Sequence, residues 1–76
     1  MPKLPRLSGA RVATILKRHG FSQVRSRGSH VVMARPRPEG GRIVCVVPLH
    51  RELALGTLRG ILRQAELSPD TFLAKL

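Results

Sequence analysis

The stretch from Arg42 to Val47 is the most β-branched run in the chain, and Pro48 ends it. Side chains branched at Cβ fit the pleated surface of a sheet better than a helix, so these residues commit the chain to a strand, and a strand needs neighbours. Phe21 to Arg27 supplies one: its alternation is weak, but Val24 and the lack of helix formers favour extended backbone. Arg27-Gly28-Ser29 reads as a tight turn, and His30 to Arg35 as the next strand, with His30, Val32 and Ala34 on one face and Val31 and Met33 on the other. Pro36 to Gly41 is a loop by composition. The short connections imply three antiparallel strands in a meander, one face of which must be covered.

Helices on either side provide the cover. Ser8 is placed to cap a helix running to about His19, in which Val12, Ile15 and Leu16 share a face while Arg11, Thr14, Lys17 and Arg18 take the other. Gly20 can then adopt positive φ, with Phe21 packing back on Leu16 in a Schellman motif. After a connection from Leu49 to Gly56, Leu58, Ile61, Leu62 and Ala65 give the clearest helical period in the chain. Ser68-Pro69-Asp70 opens a last short helix, from which Phe72, Leu73 and Leu76 are expected to pack inward. The expected architecture is α+β, in the order α-β-β-β-α with a short terminal helix, and residues 1–76 read as one domain without internal repeats.

So short a chain buries only about 60% of the surface its unfolded form exposes, which leaves little room for a bulky enclosed cofactor, and none is expected. Cys45 is the sole cysteine and sits inside the apolar run, so it reads as a buried structural thiol in a reducing cytoplasm. Pro2 and Pro5 interrupt the start, no signal-peptide core follows, and no stretch approaches the ~20 apolar residues that span a bilayer. Charge is the strongest compositional signal: 14 Lys plus Arg face 4 Asp plus Glu, a net of +10. Every residue before Glu39 is basic or uncharged. Such a one-signed field attracts polyanions, and nucleic acid is favoured over a membrane surface because no helix joins a basic face to bulky aromatic anchors. With Phe21 and Phe72 as the only aromatics, stacking of bases on rings is a poor route to binding.

The segment Arg25-Ser26-Arg27-Gly28-Ser29-His30 is the best candidate for a reactive centre. Cutting RNA without a metal needs a base for the 2′-hydroxyl, cations for the charge on phosphorus, and a proton for the leaving oxygen. Histidine suits proton transfer near neutral pH, and guanidinium and amide groups supply the electrostatics. Gly28 lets backbone approach a phosphate, Ser29 can donate to it, Arg25 and Arg27 lie on the preceding strand, and His50 can reach the same end of the sheet. The plainer readings are a surface histidine, a turn glycine and a solvated arginine face, with His19 complementing the dipole of the helix it ends. Metal binding is not expected, since His19, His30, His50 and Cys45 show no ligand-type pairing.

Gly20-Phe21, Arg27-Gly28-Ser29-His30, Val47-Pro48-Leu49-His50 and Gly56-Thr57-Leu58-Arg59-Gly60-Ile61-Leu62, in that order, resemble the HicA-type toxins of bacterial toxin–antitoxin pairs, the YcfA-like family, over nearly the whole chain. The resemblance implies a fold like the double-stranded-RNA-binding domain. It also implies a metal-independent endoribonuclease (mRNA interferase) that cleaves messenger RNA and is neutralised by a HicB-type antitoxin covering the active site. By the same resemblance His30 is the catalytic residue and Gly28 and Ser29 its motif neighbours, while His50 matches a recurrent histidine without an assigned role. Where many relatives carry a second histidine directly after the first, this chain has Val31. The alternatives are a non-catalytic RNA-binding module, for which the start of the second long helix offers only Arg59, and a basic accessory protein that binds an acidic partner.

Overall fold

A computed structural model describes residues 4–76. Met1, Pro2 and Lys3, which enter the charge and leader readings above, lie outside the described residues. Six elements follow one another: α1 (Gly9–Arg18), β1 (Ser22–Arg27), β2 (His30–Pro36), β3 (Arg42–Pro48), α2 (Leu55–Ala65) and α3 (Pro69–Leu73). The strands form one antiparallel sheet in the order β1-β2-β3. This is the expected α-β-β-β-α layout with a short helix at the end.

The ends of α1 are set by local chemistry. Ser8 Oγ accepts from the Arg11 amide at 3.0 Å, satisfying one of the orphan donors of the first turn. At the other end Gly20, at φ 91°, donates its amide to the Lys17 carbonyl, and Phe21 donates to Leu16. Those two bonds are the Schellman pattern, and they turn the chain into the sheet with Phe21 already in the core. The strand therefore begins at Ser22, one residue later than the sequence suggests.

Along β3 the side chains alternate cleanly: Ile43, Cys45 and Val47 are buried, whereas Val44 and Val46 are about two-fifths exposed. Val31 and Met33 of β2 share the buried face, because antiparallel partners point to the same side and Val31 pairs with Val47, Met33 with Cys45. Against this face lie Val12, Ile15 and Leu16 of α1, Leu58, Ile61, Leu62 and Ala65 of α2, and Phe72 of α3. Each large aliphatic or aromatic side chain buried in this way stabilises the fold by about 1.5–3 kcal/mol. Cys45 is 1% exposed, and burial pushes its thiol up to about 11, so it remains a neutral core group.

Several boundaries and contacts differ from the sequence reading. Pro48 is the last residue of β3, not the residue beyond it, and pairs with His30. The Val46 amide points away from β2 and donates to Gln64 Oε1 of α2 at 3.1 Å; two residues on, the position occupied by Pro48 faces the same open edge, where a missing N–H costs nothing. The helix α2 starts at Leu55 rather than after Gly56, with Ala54 at the cap position and no side-chain cap bond; the usual start signal is absent, so the connection reads too long. Leu76 does not pack inward: it is 52% exposed, because α3 ends at Leu73, whereas Phe72 is buried in the core and Leu73 packs against it as expected. All of β1 is exposed, and its register with β2 shifts between Gln23 and Arg25, leaving Val24 as a bulge residue with 47% exposure.

Candidate active site

The hairpin joining β1 to β2 is closed by two residues, Gly28 and Ser29, between the paired Arg27 and His30. Gly28 has φ 58° and Ser29 is not in the positive-φ region, the pattern of a type II′ turn, which matches the twist of the flanking strands and requires glycine at its first position. His30 is thereby placed at the first position of β2, with Arg27 across from it on one side and Pro48 on the other. Because Val31 and Met33 point into the core, the period-two alternation of the strand sends His30 and Val32 to the uncovered face. Arg25, paired with Val32, and Arg27, paired with His30, project from that same face. All of Arg25, Arg27, Gly28, Ser29 and His30 are exposed. Neither arginine has a carboxylate partner among the described residues; the ion pairs found there are Arg6–Glu52 and Arg37–Glu66.

His50 arrives from the other side of the sheet. Its ring centroid lies 6.4 Å from that of His30, with the ring planes at 75°, and it too is exposed. Backbone contacts fix this approach: the Leu49 amide donates to the Ser29 carbonyl at 2.6 Å, and the Gly9 amide donates to the His50 carbonyl at 2.9 Å. The second contact depends on Gly9 being glycine, since a Cβ there would stand 1.8 Å from the Pro48 carbonyl oxygen. Just beyond, Arg6 binds Glu52 at 3.0 Å and the Leu53 amide donates to Leu7. The connection after β3 is thus clamped between the hairpin and the start of α1. On the other flank of His30, Ser29 Oγ stands 3.5 Å from its Nδ1, a long contact, and no protein group among the described residues hydrogen-bonds its Nε2.

Other candidate groups have structural employment elsewhere. His19 Nε2 lies 3.4 Å from the Phe72 carbonyl, and its ring stacks on Phe72 at 6.4 Å. Arg35 donates to the His19 carbonyl and lies over the Phe21 ring at 5.4 Å, a cation–π contact. Arg37 donates to Glu66 through both terminal guanidinium nitrogens; the pair raises the Arg37 pKa and lowers that of the Glu66 carboxyl. Among the described residues no three His, Cys, Asp or Glu side chains converge as metal ligands do, and no helix is long and apolar enough to cross a membrane. Gly9 was not singled out by sequence reasoning. Its signal was a glycine in the first turn of a helix, where it costs stability unless something approaches closely.

The family model for the HicA toxin of bacterial toxin–antitoxin systems matches residues 9–67. The chain belongs to the HicA toxin family. It is therefore a toxin of a toxin–antitoxin pair, with an antitoxin as its partner. The part matched as HicA runs from the glycine that abuts Pro48 to the residue after the α2 cap. It includes the hairpin, both exposed histidines and the clamp that joins them, and it stops before α3. No curated protein matches this HicA chain.

Proposed function

We propose that this toxin is an endoribonuclease that cleaves messenger RNA by side-chain acid–base chemistry without a metal ion, and that His30 is the base that takes the 2′-hydroxyl proton. The observation that carries the reading is the exposed His30 imidazole, set across a two-residue turn from Arg27, on a face where Arg25 and Arg27 have no carboxylate partner among the described residues. An RNA phosphate lying over the hairpin meets both guanidinium groups, which stabilise the charge that builds on its oxygens in the transition state. Gly28 presents bare backbone to it, and the Ser29 hydroxyl donates a further hydrogen bond. His30, at the end of this cradle, then stands beside the ribose.

A HicB-type antitoxin covering the same face in the cytoplasm accounts for how such a toxin is held inactive. The face suits a protein partner: beside its arginines it exposes Val24, Val44 and Val46, and apolar surface rimmed by charge favours association with a complementary, acidic body. Binding of duplex RNA without cleavage has less support, since Arg59 is the one cation in the first turns of α2.

The reading is tested with an RNA whose wild-type cut has been mapped, and with the same RNA lacking the 2′-hydroxyl at the cut nucleotide. The protein is expected to bind both alike, with or without chelator, and to cut only the first. Cleavage of the deoxy-substituted RNA at that position contradicts the mechanism.

A further inference from the structure

We propose that His50 is the second proton-transfer residue of this site, the acid that protonates the departing 5′ oxygen. The inference rests on the ribonuclease reading above, and it starts from a need which His30 alone does not meet. In-line displacement at phosphorus places the attacking and leaving oxygens on opposite sides, so one imidazole cannot serve both at once. The acid must stand across the phosphate from the base.

His50 occupies that place. Its ring is too far from His30 for a direct hydrogen bond, with 6.4 Å between centroids, and the rings meet nearly edge to face. Both rings are exposed, so a phosphate laid across the pair meets each of them from a different side. Arg27 pairs with His30 on the side away from β3, so it borders the histidine pair from the β1 flank. The separation is held by backbone, not by the rings: Leu49 is bound to Ser29, and His50 itself, through its carbonyl, to Gly9. No protein group among the described residues hydrogen-bonds the His50 ring, which is exposed and stands nearly edge to face with His30, so its nitrogens are unengaged.

The neighbouring alternatives are poorer acids. Guanidinium groups keep their protons, the Ser29 hydroxyl releases its own reluctantly, and the Glu52 carboxylate accepts from Arg6. A protonated imidazole releases a proton readily near neutral pH.

The step balances without any co-reactant. His30 removes the 2′ proton as the 2′ oxygen forms its bond to phosphorus. The bond from phosphorus to the 5′ oxygen breaks, and the His50 imidazolium transfers its proton to that oxygen. The products are a 2′,3′-cyclic phosphate and a 5′-hydroxyl, with His30 left protonated and His50 neutral. Exchange with water resets both exposed rings.

Sulfur substitution isolates the acid. One RNA carries the mapped cut with its normal bridging 5′ oxygen, and the other has sulfur at that atom, whose thiolate departs without a proton. His50→Gln is expected to cut the normal RNA about 10²- to 10⁴-fold more slowly than wild type, yet the sulfur-bridged RNA within about tenfold of wild type. His30→Ala is expected to fail on both. The proposal is overturned if His50→Gln cuts normal RNA at the wild-type rate, or if it is slowed equally on the two RNAs. A wild-type protein that cuts neither RNA removes the ribonuclease reading itself, and this inference with it. Thermal melting guards against misfolding: the carbonyl of residue 50, not its ring, binds Gly9, so the variant is expected to melt with wild type.

Discussion

Gly9 has no room for a side chain, because the carbonyl of Pro48 occupies the space a Cβ would take, at 1.8 Å. Helix propensity alone ranks alanine above glycine by about 1 kcal/mol in a helix, and would make Gly9→Ala a stabilising change. Here the clash is with backbone, which cannot rotate away, so the steric term wins. Gly9→Ala is expected to destabilise the protein by about 1–3 kcal/mol, the usual range for overpacking, seen as a lower urea midpoint with an unchanged slope. An equal or higher midpoint would show that α1 and the segment after β3 are not in contact. Cys45 and His30 mark the opposite ends of what a residue can reveal in sequence. The first sits in a continuous apolar run, and its burial follows from its neighbours; the second is exposed beside a glycine turn, and the hairpin that contains it sets its place at the start of β2.

The elements whose ends carry their own chemistry are the ones that could be read directly. The start and end of α1 were legible because Ser8, Gly20 and Phe21, which perform the capping roles, lie within three residues of its ends. The end of α2 was not, since Glu66 takes the left-handed conformation there, at φ 58°, where glycine is usual. What holds Glu66 is distant in sequence: its carboxylate grips Arg37 of the loop between β2 and β3. The guanidinium bond holds this carboxyl below its ordinary range, so the pair favours the folded state above the unfolded-state pKa. That contribution is lost as pH falls through the lower, folded-state value. Because both side chains are partly exposed, the effect on stability is expected to be small, and the direct readout is the carboxyl itself. Its NMR titration midpoint is expected below the ordinary glutamate value of about 4.3, and to move up towards it in Arg37→Ala. An identical midpoint in both proteins would mean that the loop is not tied to α2 in solution. The bulge in β1 escaped the sequence reading for a related reason: Val24 looks like a strand residue, and only pairing with β2 leaves it unmatched.

At the scale of the whole molecule, a net charge of +10 on 76 residues attracts polyanions whatever their sequence, and on the proposed reading RNA is expected to bind with an affinity that falls steeply with salt. That field does not cut. Cutting is proposed to take place at one end of the sheet, where β1 and β2 supply two arginines and His30, and the chain after β3 supplies His50. The hairpin half of this site was legible because it is local, with Arg25 to His30 contiguous in sequence. The other half was legible in outline, since His50 follows β3 and can reach the same end of the sheet; how closely it approaches His30 depends on the bonds from Leu49 to Ser29 and from Gly9 to His50, which no spacing reveals. Binding and cleavage are therefore expected to separate, and the most direct test measures both on one RNA, for wild type and His30→Ala, at matched salt. The account predicts that His30→Ala melts and binds RNA like wild type while its cleavage falls by at least about 10²-fold. Cleavage by His30→Ala at the wild-type rate would contradict it.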